Sequence, residues 1–194
     1  LCNMETMIKK FCQRYRLPEE SLRELLSHMT EYHFSKGETI VQEGERNTNF
    51  YILKKGIWRS YYMMDGTESS LWFAGTGEIA FCSWGYVNNE VSLVNVESVN
   101  ESAAYCIAKS ALEELFNKSI GLANFGRKVF EQEILLIDSY TVAYGTPSAK
   151  ERYLTLMEEN PELLQDVPLK HLASYLYITP QSLSRIRAGL KRRK

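Results

Sequence analysis

The sequence is poor in the side chains that hold metals and carry nucleophilic catalysis. Its 194 residues include three histidines and four cysteines, and no two cysteines form a CxxC pair. Zinc and iron–sulfur sites need closer or larger ligand clusters. No GxxxxGK[ST] or GxGxxG motif for phosphates or dinucleotides occurs. We therefore predict no catalytic site, no metal site, and free thiols in a reducing compartment.

Long apolar runs are also missing. No stretch of about 18 apolar residues occurs, which argues against a membrane span. The N-terminal stretch LCNMETMIKKFC lacks the layout of a signal peptide. With 44% hydrophobic and 24% charged residues, the composition is that of a globular protein of one or two domains. We expect a cytoplasmic protein without a membrane partner.

Acidic side chains are absent from the last 28 residues, VPLKHLASYLYITPQSLSRIRAGLKRRK, which contain seven lysines and arginines. The other 16 basic residues and all 24 acidic residues lie in residues 1–166, which therefore carry a formal charge of −8 against +7 for this tail. Such polarity favours a polyanionic partner for the tail. The charge pattern alone is also compatible with a solvated basic tail that binds no partner.

Glycine-separated short runs of Ile, Val, Tyr, Phe and Trp fill the region from residue 32 to about residue 108. Such runs predict short strands, and Asp65-Gly66 between IWRSYYMM and TESSLWFA is typical of a two-residue hairpin turn. Many short, evenly spaced strands favour a sandwich or a small barrel. Helical spacing before and after this region makes the expected fold class α+β.

A long helix is predicted over residues 119–145. Its first apolar stripe is Leu122, Phe125, Val129, Leu136 and Ala143, and its second stripe is Phe130, Ile134 and Ile137. A helix that packs only on its own domain is one interpretation. Two stripes favour the other interpretation, in which one stripe faces the body and one faces a second subunit.

Two short helices with a basic outer face are predicted at the end of the sequence. Pro168 suits the start of the first helix, and Thr179-Pro180 suits the N-cap and first position of the second. The apolar stripe of the second helix is Leu183, Ile186 and Leu190. This is the plan of a helix-turn-helix, whose second helix enters the major groove of DNA. A helical hairpin that does not contact DNA is the alternative.

The polar side chains of this helix pair suit the chemistry of DNA. Arginine matches the acceptor pair of guanine and glutamine matches adenine, while hydroxyls and helix N-terminal N–H groups match phosphate oxygens. Arg192, Arg193 and Lys194 would add sequence-independent attraction. The candidate DNA-contacting residues are Lys170, Thr179, Gln181, Ser182, Ser184, Arg185 and Arg187.

The stretch VPLKHLASYLYITPQSLSRIR resembles the DNA-binding segment of the Crp/Fnr superfamily of transcription regulators, in the style of its Bacteroidetes members. SAKERYLTLMEENPEL resembles the same group, and FSKGETIVQEGE, FYILKKGIWRSYY and GEIAF are similar to the jelly roll of cyclic-nucleotide-binding domains. The resemblance runs from about residue 20 to 190. It implies a cupin-like jelly-roll sensor domain at 1–118, a dimerisation and hinge helix at 119–145, and a winged-helix type of helix-turn-helix domain at 146–194.

This family resemblance implies a homodimer that binds a near-palindromic site on double-stranded DNA and contacts RNA polymerase. By motif, the phosphate-contacting positions are Thr179 and Ser182, and the base-reading positions are Gln181 and Arg185. Pro180 replaces a residue that reads a base in the best-known member, so the operator need not be the same. Tyr177 stands where the turn usually has glycine, and a left-handed non-glycine residue costs on the order of 1 kcal/mol.

The resemblance also implies an effector site in the front half. Gly77 and Glu78 match the opening of the cassette that binds a cyclic nucleotide, and Ser92 stands for its serine. The arginine of the cassette is missing, because no Arg or Lys lies between Glu78 and Lys109. A phosphate buried without a cation is unfavourable. We therefore predict that cAMP is not bound in the usual way, and that the unidentified effector is apolar or neutral or that the roll is a filled core.

The sequence is compatible with three functions. The first is a homodimeric DNA-binding transcription regulator whose effector pocket has lost cAMP binding. The second is a ligand-binding or scaffold β-roll module whose DNA-binding ability has decayed. The third is a metalloenzyme on the jelly roll, which needs a histidine-rich ligand set, whereas the roll has only His33 at its edge. We expect a protein that is not an enzyme.

Overall fold

The computed structural model describes residues 4–145 and 148–191. The predicted phosphate attraction by Arg192, Arg193 and Lys194 lies outside the described residues. The chain starts with two helices, α1 (Met4–Tyr15) and α2 (Glu19–Leu26). The strands that follow are β1 (Thr30–Phe34), β2 (Thr39–Val41), β3 (Asn49–Lys55), β4 (Trp58–Met64), β5 (Thr67–Ala74), β6 (Ile79–Phe81), β7 (Asn95–Ser98) and β8 (Ser102–Ala108). A short helix, α3 (Ser83–Asn88), lies between β6 and β7.

Helices make up the rest of the described chain. They are α4 (Lys109–Lys118), α5 (Ile120–Gly145), α6 (Ala149–Glu159), α7 (Leu163–Asp166), α8 (Leu169–Tyr175) and α9 (Pro180–Lys191). None of these, within the described ranges, has the length and apolar character that crossing a membrane would require. Helices lie before and after the strands, which confirms the mixed α and β content that the sequence predicts.

The eight strands form a roll of two antiparallel four-stranded sheets, ordered β1-β8-β3-β6 and β2-β7-β4-β5. Side chains from both sheets meet in a core around Trp58, which is fully buried and donates a 2.9 Å hydrogen bond from Nε1 to Ser102 Oγ. At the tip of the β4–β5 hairpin, Asp65 and Gly66 have φ values of 51° and 75°. Both residues are left-handed, as a type I′ turn requires, so the predicted hairpin is confirmed.

The first apolar stripe of α5 packs on the body of its own chain. Leu122, Phe125 and Val129 are buried in a core with α1, α2 and the β3–β6–β8 side of the roll. Phe130, which the sequence assigns to the second stripe, also packs here, with its ring centroid 5.7 Å from that of Phe81. The reason is that three aromatic side chains of the roll offer Phe130 a partly buried site.

The second stripe of α5 is otherwise left uncovered. Ile134 and Ile137 are each 60% exposed, and Leu135 and Val142 beside them are also exposed. The side chain of Ala143, predicted in the first stripe, is outside the described part of the structure. One face of α5 is therefore used by the body and another presents apolar side chains to solvent.

Residues 148–191 form a helical part, called here the C-terminal helical part, whose buried core also includes residues of the roll. Its α6 begins with a capping box, in which Ser148 Oγ accepts from Glu151 N and Glu151 Oε2 accepts from Ser148 N. The helical part contributes Tyr153, Leu156, Leu163, Val167, Leu172, Ala173, Leu176 and Leu183 to this core, and the roll contributes Ile57 and Val99. Residues 148–191 contain helices and no strand, so the winged-helix detail of the prediction is not confirmed there.

Candidate functional site

The turn between α8 and α9 is held by backbone hydrogen bonds. Ile178 N donates to Ala173 O at 3.0 Å and Tyr177 N donates to Ser174 O at 3.0 Å. Tyr177 has φ +54° and is 64% exposed, so it occupies the left-handed turn position with most of its surface in solvent. Arg152 of α6 donates two hydrogen bonds, of 3.0 and 2.9 Å, to Leu176 O at the end of α8. These bonds fix the angle between the two helices.

Thr179 caps α9 as the sequence predicts. Its Oγ1 accepts a 3.2 Å hydrogen bond from Ser182 N and lies 3.0 Å from Ser182 Oγ. An N-cap of this kind satisfies one of the free N–H groups of the first helical turn. The two predicted phosphate-contacting residues therefore lie side by side at the N-terminal end of α9.

The outer face of α9 carries the predicted base-reading residues. Gln181, Ser184 and Arg185 are exposed, and Arg187 is partly exposed. Lys170 is exposed on the neighbouring helix α8. Leu183 is fully buried on the opposite face, and Ile186 and Leu190 pack against the same core. The amphipathic pattern of the sequence is thus realised, with polar and basic groups outside; their contacts with DNA stay a prediction.

The helix α8 is docked on the outer face of the roll. Ser174 Oγ accepts a 3.1 Å hydrogen bond from Ser70 N and donates one of 2.9 Å to Ser70 Oγ. Tyr175 packs edge-to-face on Phe73, with 5.2 Å between ring centroids. The helix pair and the roll therefore share a specific interface.

A buried ionic group lies in this interface. Arg59 of β4 is 1% exposed and pairs with Glu68 at 2.7 Å and Glu97 at 2.8 Å. It also donates a hydrogen bond to Nδ1 of His171 on α8, and its guanidinium lies 4.1 Å from the ring centroid of Tyr61. We call Arg59, Glu68, Glu97 and His171 the docking cluster.

Two pKa shifts follow from the docking cluster. The hydrogen bond from Arg59 lowers the pKa of Glu68, because it stabilises the carboxylate. Burial, with Arg59 and Lys170 nearby, lowers the pKa of His171 to about 4, although Glu68 opposes the shift. A neutral imidazole agrees with the geometry, since Nδ1 must keep its lone pair to accept from Arg59.

The predicted effector residues do not form a common site. Gly77 lies under α1, where an added Cβ would be 2.9 Å from Phe11 N and 3.0 Å from Met7 O. Ser92 is buried, and its hydroxyl bonds only within its own turn in the described contacts, to Val94 O at 2.6 Å and from Val94 N at 3.2 Å. Of the three residues, Glu78 alone lines the cavity described next.

A cavity of about 730 Å³ lies between the roll, α5 and the C-terminal helical part. The roll contributes β5, β6 and the start of α3, whereas the C-terminal helical part contributes Arg152, Tyr175 and Tyr177. The aromatic lining residues are Trp72, Phe73, Phe81, Trp84, Tyr175 and Tyr177. The charged lining residues are Arg14, Glu78, Glu133 and Arg152.

Comparison with known proteins agrees with this architecture. Residues 31–119 match the family model described as the cyclic nucleotide-binding domain. FixK2 from Bradyrhizobium japonicum superposes with a TM-score of 0.73 at 21% identity, over 85% of this chain and 85% of that chain. The chain therefore has the overall fold of FixK2, and its residues 31–119 are similar to a cyclic nucleotide-binding domain.

Two further solved structures have a similar overall fold. One is CLP from Xanthomonas campestris, described as a c-di-GMP-responsive global regulator, with a TM-score of 0.69, 15% identity, and coverage of 90% of this chain and 92% of that chain. The other is a CooA variant from Carboxydothermus hydrogenoformans, with a TM-score of 0.64, 15% identity, and coverage of 87% and 79%. No curated protein sequence matches the chain significantly.

Sequence reasoning missed the cations of the cyclic nucleotide-binding domain and its surroundings. It looked for an arginine between Glu78 and Lys109, whereas Arg14 of α1 and Arg152 of α6 line the cavity from outside that stretch. It also gave no role to Arg59. The sequence does contain one indication for Arg59: in IWRSYY, a cationic residue lies within a predicted strand that is otherwise rich in apolar and aromatic side chains.

Proposed function

We propose that this chain is a homodimeric, DNA-binding transcription regulator of the Crp/Fnr type, and that it is not an enzyme. The observation that supports DNA binding most directly is the outer face of α9. It presents Gln181, Ser184 and Arg185 to solvent on a helix whose opposite face is buried. The fold similarity to FixK2 and CLP supports the same function. Near-palindromic DNA and RNA polymerase are the partners that the family resemblance implies.

In this proposal, each part of the chain has a separate role. Residues 1–118 sense an effector, residues 119–145 pair two subunits and act as the hinge, and residues 146–194 bind DNA. The exposed stripe at Ile134 and Ile137 supports pairing through α5. A twofold pair would present its two recognition helices about 34 Å apart, in successive major grooves. An effector that favours one arrangement of the hinge would change that spacing.

We also propose that the effector pocket has lost cAMP binding. Glu78, which would hold the ribose, is paired with Arg14 at 2.6 Å. Ser92 uses its hydroxyl within its own turn, and α1 lies against Gly77. Because Glu78 and Ser92 already bond to protein groups and Gly77 is covered, these three residues do not offer a nucleotide-binding site. Calorimetry with the full chain should detect no micromolar cAMP binding; a 1:1 complex per subunit at that affinity would contradict this part of the proposal.

A gel-shift experiment with genomic fragments at about 50 and 200 mM salt tests DNA binding. The full chain should retard specific fragments, and Arg185→Ala should relax their preference, since a lost base contact costs about 1–3 kcal/mol. Arg127→Ala is the matched control, because Arg127 is an exposed arginine on α5, away from the recognition helix. This control should keep both affinity and preference.

The second candidate function is a ligand-binding or scaffold module with decayed DNA binding. The left-handed Tyr177 in the turn is the observation that favours it. If no fragment shifts even at low salt, or if Arg185→Ala and Arg127→Ala behave alike, the second candidate replaces the first.

A further inference from the structure

The charged side chains that line the cavity between the roll and the C-terminal helical part all have partners within the protein. Arg14 Nη1 lies 2.6 Å from Glu78 Oε1, and Glu78 Oε2 accepts a 2.9 Å hydrogen bond from Gly75 N. Glu133 Oε1 accepts a 2.6 Å hydrogen bond from Tyr15 Oη. Arg152 donates twice to Leu176 O. Two cations and two carboxylates therefore line the space, and each has a partner in the protein.

These pairs disfavour a charged occupant. An anion that draws Arg14 away from Glu78 leaves that carboxylate next to the new negative charge, with Glu133 also in the wall. A cation faces both arginines of the lining. Burying a charge without a partner is costly, because the interior does not replace its hydration. An uncharged molecule leaves the existing pairs intact.

The remaining wall is largely apolar, and six of its side chains are aromatic. Trp72, Trp84 and Tyr175 lie in it with Phe73, Phe81 and Tyr177, and Leu136 of α5 adds aliphatic surface. Aromatic faces favour stacked or edge-to-face rings. The volume of about 730 Å³ lies within the range typical of small-molecule sites. The wall therefore selects an apolar, ring-containing body of small-molecule size.

We propose that this cavity binds an uncharged aromatic small molecule, and that the bound molecule touches the helix-turn-helix directly through Tyr175 and Tyr177. The link to regulation rests on the proposed function of DNA binding. Tyr175 belongs to α8 and Tyr177 to the turn before α9. A bound molecule would therefore contact the helix-turn-helix directly, and its effect would not have to pass through the hinge helix α5. Occupancy thus stabilises or releases the docking of α8 on β5.

The binding part is tested with N-phenyl-1-naphthylamine, an uncharged dye that fluoresces in apolar surroundings, on the full chain. We expect saturable binding of one dye per subunit. Naphthalene-2-carboxamide and 2-naphthoate then compete for the site, because they share one ring system and differ in charge. The carboxamide should displace the dye at a concentration at least tenfold lower than the carboxylate does. Equal or better displacement by 2-naphthoate overturns the proposal.

Two tryptophan substitutions on α5 locate the site. Leu136→Trp places a bulkier side chain in the cavity wall, against the aromatic side chains, and should weaken dye binding at least tenfold. Ser139→Trp, one turn along at an exposed position outside the lining, should leave it unchanged. Circular dichroism and gel filtration check that both variants fold. Dye binding that survives Leu136→Trp, or is absent from the folded wild type, also overturns the proposal.

A separate measurement distinguishes a failure of this inference from a failure of the proposed function. The gel shift is repeated with and without saturating naphthalene-2-carboxamide. DNA binding without carboxamide binding defeats the cavity proposal and leaves the regulator intact. Carboxamide binding without any DNA binding defeats the regulator and leaves the ligand class intact. Carboxamide binding that leaves the DNA affinity unchanged refutes the direct link through Tyr175 and Tyr177.

Discussion

Arg14 on α1 and Glu78, the residue before β6, form an ion pair with 2.6 Å between Nη1 and Oε1, in which the two side chains are 22% and 17% exposed. The family pattern assigns Glu78 to a ligand, whereas here an N-terminal helix supplies its partner. The same helix covers Gly77. Helix α1 therefore contacts two of the three cassette residues, and its Arg14 lies beside Glu78 in the wall of the cavity.

The first prediction concerns the strength of this ion pair. Arg14→Gln and Glu78→Gln should each lower the free energy of unfolding by about 1–3 kcal/mol, because each leaves a partly buried charge without its main partner. A double-mutant cycle by urea denaturation should give a coupling energy of about 1–2 kcal/mol. The exposed pair Arg127 and Glu131 is the control, with coupling below about 0.5 kcal/mol. Equal coupling for both pairs would show that burial adds nothing at Glu78.

The second prediction is a pH dependence of stability set by His171. Its folded-state pKa of about 4 is below the ordinary value of 6.5. Between these values the unfolded chain binds a proton that the folded protein does not bind, so stability is present above about pH 6.5 and is lost as pH falls toward 4. The loss is up to about 3 kcal/mol. Burial is the main cause of this lowered pKa; Arg59 and Lys170 also favour the neutral ring, and Glu68 opposes them.

Urea denaturation between pH 5 and 7.5 checks this pH dependence. His171→Gln cannot take up the proton and should flatten the curve in that range. His33→Gln is the control, because the His33 side chain is 70% exposed and is outside the docking cluster. A wild-type slope that persists in His171→Gln would assign the pH dependence to other groups.

Local features of this fold were predictable from the sequence. The turn at Asp65-Gly66, the cap at Thr179 and the amphipathic pattern of α9 depend on residues within a few positions of each other. Backbone preferences and short-range hydrogen bonds decide such features. The positions of the candidate DNA-contacting side chains on α9 follow from them.

The interface between the roll and the helix pair was not predictable. Arg59 and His171 are 112 residues apart in sequence, and Ser70 and Ser174 are 104 apart. The spacing of apolar residues identifies a single helix or strand, but not the element against which it packs. It therefore cannot link residues at such separations. The same holds for Arg14 and Arg152 in the cavity. Arg14 is close to Glu78 in space but 64 residues away in sequence, so spacing along the chain does not reveal it.

The third prediction concerns the left-handed turn residue Tyr177. Asparagine tolerates positive φ better than tyrosine does, and Tyr177 is 64% exposed, so little packing is lost. Tyr177→Asn should raise the free energy of unfolding by about 0.5–1 kcal/mol. Tyr175→Asn is the control, because Tyr175 is helical and packs on Phe73; it should lower stability. If Tyr177→Asn is destabilising, the tyrosine ring contributes packing that outweighs the strain of its backbone.

The last prediction tests pairing through α5. Ile134 lies in the exposed apolar stripe, and a twofold interface uses the same surface on both subunits. Ile134→Glu therefore places two carboxylates in the interface, one from each subunit, where burial is costly. Sedimentation equilibrium should show the dimer dissociation constant rising by about tenfold or more, which is about 1.4 kcal/mol. Affinity for a two-half-site operator should fall with it, since one subunit reaches one half-site.

Ser139→Glu is the matched control for that experiment, because it adds the same charge at an exposed polar position of α5. It should leave the dimer intact. A wild-type chain that stays monomeric at micromolar concentration contradicts pairing through this helix. An equal effect of both variants would instead attribute the loss to net charge, since a specific apolar seam responds only where the carboxylate enters it.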